Sequence, residues 1–116
     1  MNKVAEEYAK RLNNIALQIK CPNDNNLFSD GYEMAVFCIK EGLSDRVDFI
    51  TEVYSDESDE ISTIVACKEQ IDSLLRVLNS CLEDIEHKSI QEGYQTALND
   101  FVFLLNPVME WLKNFK

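Results

Sequence analysis

EGLSDRVDFITEVYSDESDE, running from Glu41 to Glu60, decides how many helices this chain has. Written on a helix, it sets Glu41, Asp45, Asp48, Glu52 and Asp56 at steps of four, three, four and four, so all five carboxylates share one face. Leu43, Val47, Ile50 and Tyr54 repeat at the same spacing on another face, with Phe49 and Val53 beside them. The stretch holds eight acids and one base, Arg46. Like charges at i,i+4 cost a helix roughly 0.2–0.5 kcal/mol per pair. A face needed only for solvation usually mixes signs. A basic partner is therefore the functional reading, and a plain solubilising surface is the alternative.

Gly42-Leu43-Ser44 predicts a break inside this stretch. Gly42 suits the position just past a helix end, and Leu43 the hydrophobic contact that accompanies such an ending. Ser44 then caps a new helix over 45–54, with Asp45 and Asp48 in its first turn, where the helix dipole favours them. The alternative is one helix through Gly42, at a cost of about 1 kcal/mol. With the break, Glu41 belongs to a different helix from Asp45, Asp48 and Glu52. The acids become a corner between two helical halves, and Glu52, Asp56 and Glu57 are the charges no local rule explains.

Outward from there, every segment reads as helix. Residues 2–20 bury Val4, Tyr8, Leu12, Ile15 and Ile19, and Cys21-Pro22 stops them, because the residue before proline is pushed out of the helical region. A second helix starts near Ser29 or Asp30 and carries Tyr32, Ala35, Val36, Ile39 and Leu43 inward, with Phe37 and Cys38 widening the stripe. The turn 55–60 leads into a long helix over about 60–87, capped by Ser58 or Asp59 and striped by Ile61, Ile64, Val65, Ile71, Leu74, Leu75, Leu78, Leu82 and Ile85. Ser89 and Glu92 form a capping box for a helix from about 90. Asn106-Pro107 ends it and opens a short last helix, 107–115, with Val108, Trp111, Leu112 and Phe115 inward. No segment alternates with period two. The expected fold is an all-α, compact bundle of five or six helices forming a single domain over 1–116.

Gly31-Tyr32-Glu33-Met34-Ala35-Val36 matches Gly93-Tyr94-Gln95-Thr96-Ala97-Leu98 at an offset of 62, and the apolar steps continue in register from Ile39 with Phe101 to Val53 with Phe115. Two pseudo-repeated three-helix halves, 1–54 and 60–116, joined by the acidic turn 55–60, are one reading, and a coincidence of good helix patterns is the other. Over about ten residues the pattern resembles the second helix of a tetratricopeptide repeat. The Trp-x-x-Leu-Gly-x-x-Tyr helix of that family is missing, and the offset is no multiple of 34. Only packed helical hairpins carry over.

The charge of −10 is unevenly placed: residues 24–60 carry eleven acids and two bases. That disfavours direct nucleic-acid binding and docking on anionic membranes, and favours a basic protein surface. The charged start MNKVAEEYAK has no apolar signal core, and no run reaches the length of a membrane span, so a cytoplasmic protein is expected. Cys21, Cys38, Cys67 and Cys81 are then expected as reduced thiols, buried as small hydrophobes. Their spacings of 17, 29 and 14 offer no zinc pair. An EF-hand loop from Asp56 would need Gly and Glu where Ile61 and Cys67 stand. His87 is the single histidine, six positions from Cys81, and reads as a dipole partner at a helix C-terminus rather than half of a catalytic pair. No metal, no cofactor and no enzyme are expected.

The expected function is that of a small acidic protein that binds and inhibits a basic protein through Glu41, Asp45, Asp48, Glu52, Asp56 and Glu57, with Tyr54 as aromatic anchor. In size, charge and missing chemistry it resembles immunity proteins against nuclease toxins and phage anti-restriction or anti-CRISPR proteins. The resemblance implies a nuclease or CRISPR effector as partner, met by carboxylates standing in for phosphates. The alternative is a scaffold module, homodimeric through the apolar stretch 98–115, where Phe101 to Leu105 run without a polar residue.

Overall fold

A computed structural model describes residues 2–22, 24–54 and 59–115. Those residues form four helices and no strand: α1 (Lys3–Gln18), α2 (Leu27–Val53), α3 (Glu60–Glu83) and α4 (Lys88–Asn114). The fold is all-α, as the missing period-two pattern predicts. The five or six helices expected are four, because two expected breaks do not occur. Residues 1–54 and 60–116 accordingly hold two of these helices each, not three.

The first missing break is at Gly42. The glycine is buried, and a Cβ placed on it would meet a δ-methyl of Leu74 on α3. It serves close approach between helices rather than a helix end. Leu43 beside it is 1 % exposed, so packing on both sides holds the helix through the glycine. Burying one such leucine stabilises by roughly 1.5–3 kcal/mol, more than the glycine costs.

The second is at Pro107, which lies inside α4. Proline removes one intrahelical hydrogen bond, at a cost of about 3 kcal/mol. Pro107 and Phe103, whose carbonyl loses that bond, both face solvent. Leu105, Val108 and Leu112 are buried on either side of the proline and carry the helix across it.

Side-chain caps open each helix. Asn2 accepts from the Val4 and Ala5 amides, and its amide donates to the Thr63 hydroxyl at 2.7 Å, tying α1 to α3. Asn26, not Ser29 or Asp30, caps α2, and Asp59 caps α3. His87 is an N-cap rather than a C-terminal dipole partner: its Nδ1 accepts from the Ser89 amide at 3.2 Å, which replaces the expected Ser89–Glu92 box.

Consecutive helices run antiparallel, so α1 parallels α3 and α2 parallels α4. The contacts Asn2–Thr63 and Tyr8–Cys67 advance together along α1 and α3. The most extensive contact is between α2 and α4. There Gly31 and Gly93 let the backbones touch: a Cβ on Gly31 would strike the Ile90 carbonyl, and one on Gly93 the Phe28 carbonyl. Ala35 and Ala97, each 0 % exposed, follow one turn later. α1 and α3 flank this pair, and the core runs the length of a rod 48 × 24 × 24 Å.

Candidate protein-binding face on α2

Because α2 is unbroken, Glu41, Asp45, Asp48 and Glu52 lie on one helix, and all four are exposed. At 100° per residue they fall within a stripe about 60° wide, opposite the buried Ala35, Ile39, Leu43 and Ile50. At 1.5 Å per residue the stripe is roughly 16 Å long, one charge per ~5.5 Å. A nucleic-acid strand carries one per ~3.4 Å, so this rail is a sparser version of a single phosphate row. Asp56 and Glu57 lie outside the described residues.

The local excuse for these acids disappears with the break. Asp45 and Asp48 sit inside a helix whose first turn is at Leu27, far from the favourable end of the dipole. Glu52 is in the last turn, which carries no base and where a negative charge is disfavoured. Among the described residues none of the four carboxylates is in an ion pair. Arg46 points away: its Nε donates to the Gln70 carbonyl at 3.5 Å and a terminal nitrogen to the Ser73 hydroxyl at 3.4 Å. The one base of the segment thus ties α2 to α3 and leaves the rail uncompensated.

Tyr54 is half-buried, packed on the core and edge-on to Phe49, with ring centroids 6.5 Å apart. That makes it a cap on the end of α2 rather than a free anchor. The free aromatic is Phe37, 63 % exposed, four residues before Glu41 on the same stripe, with the exposed Met34 and Asp30 beside it. Reading Phe37 into the buried stripe missed it. The signal was its angle: 100° round from the buried Val36 but only 40° from Glu41.

Elsewhere, buried phenols and one buried thiol are tied into the core. Burial pushes the Tyr8 phenol up, and its hydroxyl donates to the Cys67 carbonyl at 3.3 Å. The Cys67 thiol, buried beside it, is pushed up to about 12 by desolvation. The Tyr32 phenol is raised to about 12, first by burial and then by donating to Asp100 at 2.7 Å. Not every cysteine is the buried hydrophobe expected: Cys21 and Cys81 are exposed and Cys38 is half-buried. Among the described residues no group of three or more His, Cys, Asp or Glu could hold a metal, and no helix is long and apolar enough to cross a membrane. A shallow groove of about 520 Å³ between α1 and the end of α4 is lined by lysines, glutamates, Trp111 and Phe115, with no thiol or histidine.

The chain matches no family model, no curated protein and no solved structure.

Proposed function

We propose that this is a small acidic, non-enzymatic protein that binds and blocks a basic surface of another protein through the outer face of α2. The observation that carries the reading is the uncompensated rail Glu41–Asp45–Asp48–Glu52, kept although like charges and the helix dipole oppose it locally. A basic partner repays that opposition on binding. Phe37 adds an apolar anchor at one end, so affinity does not rest on long-range attraction alone. The basic surfaces such a row suits best are those built to track phosphates, which points to a nucleic-acid-handling protein such as a nuclease or a CRISPR effector. Association is fast at low salt and weakens as ionic strength rises.

The scaffold reading, with a dimer through α4, draws less support. Phe101, Leu105, Val108 and Leu112 are spent on the core, which leaves Val102 and Phe103 exposed on that stretch.

The test is affinity capture of basic proteins from the source cell at low and high salt, with wild type, the rail variant E41Q/D45N/D48N/E52Q and F37A. A partner held by wild type at low salt, released by salt and lost by the rail variant supports the reading. F37A weakens the same partner about tenfold or more at either salt. A partner bound equally well by the rail variant rules the rail out.

A further inference from the structure

Three thiols outside the core remain unaccounted for, and two of them, Cys38 on α2 and Cys81 on α3, lie on packed helices. The antiparallel α2–α3 seam places them. Gly42 lies against Leu74, and Arg46 reaches Gln70 and Ser73. Moving back along α2 means moving forward along α3. One turn back from Gly42 is Cys38, and two turns on from Leu74 is Cys81, so both stay on the faces that meet. Side chains on a helix lean toward its N-terminus. Across an antiparallel seam those leanings are opposed, so each of these two thiols tilts toward the level of the other. Tyr94 of α4 marks the same spot: its hydroxyl donates to the Leu78 carbonyl at 3.0 Å and lies within electrostatic reach of both thiols. Cys81 is open to solvent and Cys38 is half-buried behind it.

We propose that Cys38 and Cys81 form a paired-thiol modification site that takes disulfide oxidants of the glutathione class and closes to a reversible α2–α3 bridge. The Cys81 thiolate attacks one sulfur of the oxidant, forms a mixed disulfide and releases one thiolate, which takes up the proton Cys81 gave up. The Cys38 thiolate then attacks the Cys81 sulfur, closes the Cys38–Cys81 bond and expels the second thiolate, which is protonated in turn. Two protein thiols are oxidised and one disulfide is reduced to two thiols. Burial, then the neighbouring Cys81 and Glu41, push the Cys38 thiol up, so the closing step quickens as pH rises. The bridge fixes α2 to α3 one turn from Glu41.

The full chain, with the exposed Cys21 changed to serine in wild type and variants alike, is incubated with oxidised glutathione and followed by intact mass and peptide mapping. The expected product lacks two hydrogens, carries Cys38 linked to Cys81 and reverts with dithiothreitol. C38S stops at a glutathione adduct on Cys81. Phenylarsine oxide, which needs two neighbouring thiols, binds wild type one-to-one and neither C38S nor C81S, each first shown by circular dichroism to melt like wild type. Wild type that stops at the adduct, pairs another cysteine or does not react overturns the proposal.

Discussion

Gly31 on α2 and Gly93 on α4, 62 positions apart in the chain, each face the backbone of the other's helix. The atoms opposite are main-chain carbonyls, of Ile90 and Phe28, which cannot swing aside as a side chain can. Either glycine changed to alanine gains about 1 kcal/mol of helix propensity and must push two helices apart, an overpacking cost at the upper end of about 1–3 kcal/mol or beyond. G31A and G93A are each expected to lose at least ~1 kcal/mol net in urea unfolding. G42A is the contrast: its Cβ meets only a leucine methyl, so the change is expected to fall within about 1 kcal/mol of neutral.

Neutralising the rail is expected to separate stability from binding. E41Q/D45N/D48N/E52Q removes two like-charge pairs at i,i+4, one at i,i+3 and an acid at the wrong end of the dipole. The sum is a gain of roughly 1–2 kcal/mol at low ionic strength. The variant should unfold at higher urea than wild type, and the gap should narrow as salt is added. A variant no more stable than wild type shows that the rail is not opposed by its own helix.

Acid should loosen the start of α3. The Asp59 carboxyl is held below its ordinary range, chiefly by accepting from the Ser62 amide at 2.7 Å and then from the Ser62 hydroxyl at 2.9 Å. A carboxyl lowered in the fold contributes stability that is complete above its unfolded value of about 4. That contribution is lost as pH falls through the folded value. D59N keeps the acceptor oxygen but cannot titrate, so its stability should fall less steeply than that of wild type below about pH 4. Thermal melts across that range check it.

Pro107 offers a gain. P107A restores an amide to the α4 ladder opposite the Phe103 carbonyl, recovering part of about 3 kcal/mol. It gives back roughly 0.4–1 kcal/mol through a freer unfolded chain. A net rise of about 1–2 kcal/mol is expected, read from chemical denaturation. No rise would show that α4 is bent around the proline in a way that alanine cannot use.

The helical character of every segment was legible from apolar spacing alone, since Val4–Ile15 and Ile64, Ile71, Leu74 and Leu78 carry the core where that spacing puts them, although Ile61 and Val65 of the same stripe face solvent. What misled were the punctuation residues. Gly42 and Pro107 have strong local preferences for helix ends, and both were overruled by packing that only a folded neighbour supplies: Leu74 against one, Leu105 and Val108 on either side of the other. The acids at 41, 45, 48 and 52 were legible as one face until the break divided them. Phe37 was hidden because a hydrophobic residue beside Ala35 and Val36 reads as core unless its angle is drawn. The Cys38–Cys81 relation depends on the register between two helices, which no single-helix pattern contains.

The α2 helix has two owners: its inner edge belongs to the glycine crossing with α4, and its outer edge, with Glu41, Asp45, Asp48 and Glu52, is exposed. Substitutions on the outer edge therefore leave the crossing untouched. On the proposed reading, the bundle is a chassis whose contact surface can be exchanged residue by residue, keeping pace with a changing target while the interior stays the same.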